Sequence, residues 1–392
     1  MRRRAIILVL DGVGVGEAPD TAAYGDSGSD TLGNTARALG GLNLPNLQQL
    51  GLGNLEPIVG VVPTDAPQGA WGMMNPASPG KDSTTGHWEI AGLHLDRAFP
   101  TYPKGFPHDV IEAFIRATGR GVIGNIPASG TEIIHRFGAE QEKTGRFIVY
   151  TSADSVFQVA AHEDVIPLKE LYAACEAARQ LLVVPNDVSR VIARPFLGRA
   201  GSYRRTKNRR DYSLAPPGET LLDALAGAGV SRAGVGKVDD LFSGRSLTSR
   251  HVVDNAEGIR AIMEWLAGAQ GGLLFANLVD FDTLYGHRGD VAGFERALRQ
   301  FDDALPAMRA ALREDDLLFI TADHGNDPTT GSSDHARERV PLLVTGPQVR
   351  PVPLGTRPTF SDLGATVAEW LNIGFRGMGT SFLPTLERGT PS

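Results

Sequence analysis

The stretch Ala5-Ile6-Ile7-Leu8-Val9-Leu10-Asp11-Gly12 is a continuous apolar run stopped by an acid and a glycine. It has no polar alternation, so it reads as a strand buried on both faces, as in a parallel sheet covered by helices. The same design recurs at Leu273-Leu274-Phe275-Ala276-Asn277-Leu278-Val279-Asp280-Phe281-Asp282 and at Leu317-Leu318-Phe319-Ile320-Thr321-Ala322-Asp323-His324-Gly325. Open α/β sheets gather ligands at the carboxyl ends of their strands. Carboxylates at three such ends are therefore expected to converge despite their separation in sequence.

Working outward, Asp290 reads as the cap of a helix with an inner stripe of Phe294, Leu298, Phe301, Leu305, Met308 and Leu312. Pro306 predicts a kink or a break within it. Val340 to Gly346 supplies another strand, and Ser361 to Leu371 a further capped helix. The middle of the chain differs. A strand at Arg146–Tyr150, a helix at about Leu168–Leu182 and a strand at Ser189–Ala193 lead into the basic stretch Gly201 to Asp211. These features predict an inserted domain at about 98–216, between the two parts, 1–97 and 217–392, of one discontinuous core. The fold class is α/β, a largely β sheet covered by helices with a smaller α/β insertion.

The 392 residues are 42% hydrophobic and carry a formal net charge of −7, which argues against a nucleic-acid backbone binder. No apolar run is long enough for a membrane span. The start, Met1-Arg2-Arg3-Arg4, is followed by an apolar run that meets Asp11 too soon for a secretory signal. Cys175 is the only cysteine, so no intrachain disulfide forms. The expectation is a cytoplasmic protein without an obligate protein partner.

Thr321-Ala322-Asp323-His324-Gly325-Asn326-Asp327, followed by Ser333-Asp334-His335, is the densest local feature. Asp282 and His287 form a second mixed pair, and Asp11 adds a further carboxylate. Taken singly, an aspartate at a strand end is as readily a turn or cap residue. Crowded into one cleft, the carboxylates would repel and resist desolvation; cations would neutralise them and activate phosphate chemistry. Oxygen and imidazole donors suit Mn²⁺ or Zn²⁺, whereas a thiolate-rich zinc site has no cysteines to build it. A nucleophile is available in Gly80-Lys81-Asp82-Ser83-Thr84-Thr85-Gly86-His87-Trp88-Glu89. Its hydroxyls could equally cap a helix, and periodicity alone does not choose among Ser83, Thr84 and Thr85.

These segments, with Asp11-Gly12-Val13-Gly14-Val15-Gly16-Glu17-Ala18-Pro19-Asp20, Pro127-Ala128-Ser129-Gly130-Thr131-Glu132, Tyr150-Thr151-Ser152-Ala153-Asp154-Ser155 and Ile192-Ala193-Arg194-Pro195-Phe196, occur in one order. As a set they closely resemble the phosphopentomutases of the alkaline-phosphatase-like superfamily, from about Arg4 to Leu383. The resemblance implies interconversion of α-D-ribose 1-phosphate and D-ribose 5-phosphate, and of the 2-deoxyribose equivalents. It implies two Mn²⁺ ions, one held by Asp11, Asp323 and His324 and the other by Asp282, His287 and His335. A pentose 1,5-bisphosphate is the implied intermediate and activator. The family nucleophile is usually a threonine directly after the Lys-Asp pair; here that position is Ser83, which keeps the oxygen. Arg190, Arg205 and Lys237 are implied as contacts to the distal phosphate or hydroxyls, and Asp154 as a residue aligning the sugar. The alternative activity is a metal-dependent phosphomonoesterase with water as acceptor.

Overall fold

The computed structural model describes residues 3–152, 154–375 and 377–386. Met1 and Arg2 of the basic start, and Ala153 of the quoted turn, lie outside the described residues. In chain order the strands are β1 (Arg4–Leu10), β2 (Ala70–Met74), β3 (Val122–Pro127), β4 (Phe147–Thr151), β5 (Val156–His162), β6 (Arg190–Leu197) and β7 (Arg204–Arg205). They continue with β8 (Arg210–Ser213), β9 (Arg232–Val235), β10 (Ser249–Arg250), β11 (Gly272–Leu278), β12 (Asp316–Thr321), β13 (Val340–Thr345) and β14 (Pro353–Arg357). The chain divides into two compact units, one of Met1–Ala98 with Pro216–Ser392 and one of Phe99–Ala215.

In the first unit an eight-stranded sheet runs β10-β9-β11-β1-β12-β13-β2-β14. Every residue of β1, β11 and β12 is buried, which is why these runs lack polar alternation. β1 lies parallel between β11 and β12, with Leu10 opposite Leu278 and Val9 opposite Thr321. That register delivers the residues after all three strands to one end of the sheet. β13 runs antiparallel to β12 and to β2, so the sheet is mixed. Even the polar start of β1 is buried. Arg4 Nε donates to Asp316 Oδ1 at 2.8 Å and Nη1 to Leu266 O at 2.9 Å, pairing a charge that would otherwise be very costly there.

The expected helices form, with three corrections. Asp290 caps the helix Val291–Ala310 by accepting from Gly293 N at 2.9 Å, and Phe294, Leu298, Phe301, Leu305 and Met308 are buried. Leu312 falls beyond the helix end. The helix runs through Pro306 without the break that proline predicts. Proline cannot donate to the carbonyl of Asp302 one turn earlier; Asn46 Nδ2 does so instead, at 3.0 Å. The Asp302 carboxylate in turn accepts Asn46 N and Leu47 N at 3.2 and 2.7 Å. Ser361 begins the helix Ser361–Trp370 but does not cap it; its hydroxyl donates to Glu89 O at 2.8 Å.

In the second unit a six-stranded sheet runs β3-β4-β5-β6-β7, with β8 also pairing with β6. Alternate residues of β4 serve opposite faces. Phe147 and Val149 pack with Phe114, Leu171 and Cys175, whereas Ile148 and Tyr150 pack with Ile133 and Ile134. Helices therefore cover both faces. Among the described residues no helix is long and apolar enough to cross a membrane.

Glu89 ties together the loops around the helix Ser83–Ile90. Fully buried, its carboxylate accepts Ala77 N at 2.9 Å, Ser78 N at 2.7 Å, Thr359 Oγ1 at 2.7 Å and Phe360 N at 3.0 Å. Glu89→Ala strands these donors away from water and is expected to cost about 3–5 kcal/mol. Glu89→Gln, which keeps one acceptor oxygen, should cost less. Urea unfolding of the two variants measures the difference.

Candidate metal centre

Asp11 follows β1 directly, and its backbone N–H donates to Leu278 O at 3.2 Å. Gly12 turns the chain with φ +76°, a left-handed conformation glycine adopts without penalty, and its N–H donates to Asp323 Oδ1 at 3.1 Å. Beyond β11 the acids diverge. Asp280 exchanges hydrogen bonds with Asn255 at the start of another helix, at 2.8 and 3.1 Å. Asp282 lies in a π-helical turn, Phe281–Tyr285, that points its carboxylate back toward the strand ends. After β12 the chain folds back on itself: Gly325 N donates to Ala336 O at 3.1 Å and Ala336 N to Gly325 O at 2.7 Å. This closure brings His335 against His324, ring centroids 4.0 Å apart.

Asp11, Asp282, Asp323 and His324 are buried, while His287 and His335 are partly exposed. His287 Nε2 lies 3.2 Å from Asp282 Oδ2, and His335 Nε2 lies 3.3 Å from Asp282 Oδ1. His324 Nε2 lies 3.4 Å from Asp11 Oδ1 and 3.5 Å from Asp323 Oδ2. Two ligand-bearing groups result, Asp282 with His287 and His335, and Asp11 with Asp282 and His324. They share Asp282, and Asp323 borders the second group through His324.

The donor chemistry fits bound cations. His324 Nδ1 faces Gly325 O at 3.1 Å and His287 Nδ1 faces Ser333 O at 2.7 Å. A carbonyl only accepts, so each Nδ1 turns its N–H there, which leaves Nε2, beside the carboxylate oxygens, as the ring atom that could ligate a cation. Asp11 Oδ1, Asp323 Oδ2 and His335 Nε2 are buried without a hydrogen-bond partner. Protein charge alone leaves the cluster electrostatically uneven. Burial, with the charges of Asp323 and Asp282, raises the Asp11 carboxyl above its ordinary range. Burial also opposes ionisation of Asp282, but His335 and His287 outweigh it and hold that carboxyl well below the usual range. For His324 burial disfavours charge, yet Asp323, Asp11 and Asp282 prevail and push the imidazole well above its usual value.

Ser83 opens the helix Ser83–Ile90, and the cap is Asp82, which accepts Thr85 N at 3.1 Å. The hydroxyls of the triplet are thus distinct. Thr85 Oγ1 donates to Asp82 Oδ2 at 2.6 Å, Thr84 is buried, and the partly exposed Ser83 places Oγ 3.1 Å from His324 Nε2. The helix approaches the segment after β12 so closely that a β-carbon on Gly86 would lie 2.1 Å from Asp323 O, so only glycine fits. Lys81 Nζ is held by Asp26 at 3.0 Å and Asp334 at 2.9 Å, joining the Ser83 loop to the residue before His335. Buried Arg337 donates to Ser78 O and Gly80 O at 2.6 and 2.5 Å and pairs with Asp20 at 2.9 Å.

The remaining candidates are carried by other elements. Exposed Asp154 sits between β4 and β5, where Ser152 Oγ donates to its carboxylate at 3.5 Å. Arg190 begins β6 and lies 3.8 Å from Asp211. Arg205 lines a cleft with Arg194, Thr206 and Arg209. Lys237 is an exposed residue of the first unit, preceding the helix Val238–Leu241. Sequence reading passed over Asn277, which donates to Asp11 Oδ2 at 2.8 Å, and Asn326, which donates to Asp282 Oδ1 at 2.6 Å. The signal for Asn277 is a lone amide inside an otherwise apolar run.

A family model described as the metalloenzyme superfamily matches residues 3–374. The phosphopentomutase of Dictyoglomus thermophilum is 59% identical over 389 residues, covering 99% of each chain. That of Acetivibrio thermocellus is 55% identical over 386 residues, covering 98% of this chain and all of the relative. Among solved structures, a Leishmania mexicana phosphoglycerate mutase aligns over 96% of each chain at 13% identity with a TM-score of 0.50, a likeness of fold alone. With whole-length identity above half, and with the acid and imidazole groups of a metal-binding architecture assembled at one sheet end, the chain belongs to the phosphopentomutase family of the metalloenzyme superfamily.

Proposed function

We propose that this chain interconverts α-D-ribose 1-phosphate and D-ribose 5-phosphate, and the 2-deoxyribose equivalents, through phosphorylated Ser83 and a pentose 1,5-bisphosphate. The observation that carries the reading is the Ser83 hydroxyl 3.1 Å from His324 Nε2, at the edge of the Asp/His cluster. Asp11, Asp323 and His324 would hold one Mn²⁺ and Asp282, His287 and His335 the other. When bound, such cations stabilise charge on the transferring phosphoryl oxygens and on the serine oxygen.

The rest is done by the chain's own groups. The helix Ser83–Ile90 presents Oγ at its N-terminus, where the helix dipole favours an anion. In the first transfer the P–Oγ bond of phosphoserine breaks, and a bond forms from phosphorus to a free sugar hydroxyl, whose proton leaves to solvent or a neighbouring base. In the second, the other sugar O–P bond of the bisphosphate breaks as its phosphorus bonds to Ser83 Oγ, and the freed sugar oxygen takes up a proton from solvent or the neighbouring base, leaving the isomeric monophosphate. Arg190, Arg205 and Lys237 are assigned to the non-reacting phosphate and hydroxyls, since guanidinium forks match phosphate oxygens and lysine adds a compact charge. Asp154 is assigned a supporting role in aligning the sugar. The inserted unit, taken as about 98–216, supplies the substrate-binding cap.

Ribose 1-phosphate should yield ribose 5-phosphate with little free phosphate; stoichiometric phosphate release would indicate the phosphomonoesterase instead. Chelation should abolish turnover and Mn²⁺ restore it better than Mg²⁺, which disfavours imidazole-rich sites. Undiminished turnover after verified metal removal would contradict the reading. Ser83→Ala should lower turnover at least about 1,000-fold, whereas Ser83→Thr should keep measurable activity. Peptide mass spectrometry after incubation with a pentose 1,5-bisphosphate should locate phosphate on Ser83 and not on Thr84 or Thr85. Replacing Arg190, Arg205 or Lys237 should weaken pentose-phosphate saturation and increase bisphosphate escape, with less effect on Ser83 phosphorylation.

A further inference from the structure

His87 lies one helical turn after Ser83 and is fully buried. Its Nδ1 is 2.9 Å from Ser83 O and 3.1 Å from Asp323 Oδ2. Both neighbours only accept, so Nδ1 carries the proton. That proton is directed at the carbonyl, and Asp323 Oδ2 is left without a hydrogen bond of its own. The other ring nitrogen, Nε2, is also buried without a partner, and the ring stacks on Phe275, centroids 5.5 Å apart at 22°.

An apolar side chain would satisfy the stacking and would carry no stranded nitrogen. The arrangement is therefore poor as core packing, since a buried polar atom without a partner is destabilising. What the imidazole supplies is a donor on one face only. It sits between the backbone of the residue that presents Oγ and a carboxylate assigned to a metal. Gly86, next to it, has no room for a β-carbon, which would lie 2.1 Å from Asp323 O, so the helix packs tightly on Asp323 here.

We propose that His87 is a positioning residue: with Nδ1–H bonded to Ser83 O and the same ring nitrogen 3.1 Å from Asp323 Oδ2, it fixes the spacing of the Ser83 backbone from the Asp323 carboxylate and so couples the nucleophile to the metal centre. His87 ligates no metal and touches no reacting atom. It orients a ligand in the way that outer groups around metal sites do, where such contacts are worth roughly 10–100-fold in affinity or activity. The inference rests on the proposed roles of Ser83 and Asp323.

Asparagine and glutamine separate the two ring positions, because the Asn amide nitrogen falls near Nδ1 and the Gln amide nitrogen near Nε2. The test compares full-length wild type, His87→Asn, His87→Gln and His87→Leu. It measures Mn²⁺ affinity by titration, the rate of Ser83 phosphorylation by a pentose 1,5-bisphosphate, and the unfolding temperature in chelator. His87→Asn should remain within about threefold of wild type, while His87→Gln and His87→Leu bind Mn²⁺ and phosphorylate Ser83 about 10–100-fold less well. In chelator His87→Leu should unfold at the wild-type temperature or above, an outcome a purely structural histidine would not give. Wild-type Mn²⁺ affinity and phosphorylation in His87→Leu would overturn the proposal. So would Asn and Gln variants that fall equally and unfold early in chelator. If wild type itself acquires no phosphate on Ser83, the functional reading fails, which is a separate result.

Discussion

Three buried carboxylates at the ends of three parallel strands repel one another, and the rest of this protein is arranged around that repulsion. Asp11, Asp282 and Asp323 are each at most 5% exposed, so solvent cannot screen them. The imidazoles of His287 and His324 turn Nε2 toward these oxygens because each Nδ1 faces a backbone carbonyl, of Ser333 and Gly325, and His335 adds a third Nε2 beside Asp282. The same convergence of negative oxygens makes a protein unstable when left bare and catalytically useful once cations neutralise it.

The scaffold holds that geometry through short polar ties. Gly12 N to Asp323 and Asn326 N to Gly12 O, at 3.1 and 2.8 Å, join the ends of β1 and β12. Lys81 and Arg337 fasten the Ser83 loop to the segment bearing His335. Glu89 then anchors the far end of the Ser83 helix. A change in one element is thereby felt at Ser83 and at the Asp/His cluster together, because a single short segment, Lys81 to Glu89, carries the ties to both.

Much of this was legible along the chain. Unbroken apolar runs ending in acid are what a doubly covered parallel strand requires, so β1, β11 and β12 and the sheet end that carries the site could be read directly. Asp290 as a helix cap follows from local hydrogen bonding alone. Pro306 does not break its helix, and the compensating donor, Asn46, is far away in sequence. The helix from Ser361 lacks the side-chain cap expected of it, and the Ser361 hydroxyl is drawn instead to Glu89 O, also distant. Local rules hold where partners are local and fail where a buried group finds its partner across the fold.

The sequence by itself determined which chemical groups exist, that three of them terminate buried strands, and that Ser83 follows a Lys-Asp pair. It set Asp280 aside and paired Asp282, two residues on, with His287, but supplied no physical reason why the two acids should part. Only the tertiary structure turned the first toward a helix start and the second, through a π-helical turn, into the cluster. Nor could it distinguish the three adjacent hydroxyls. Asp82 occupies Thr85, burial removes Thr84, and the approach of the segment after β12 to the helix at Gly86 leaves Ser83 facing His324. Side-chain chemistry is a property of single residues, whereas direction and distance arise from packing elements that meet only after folding.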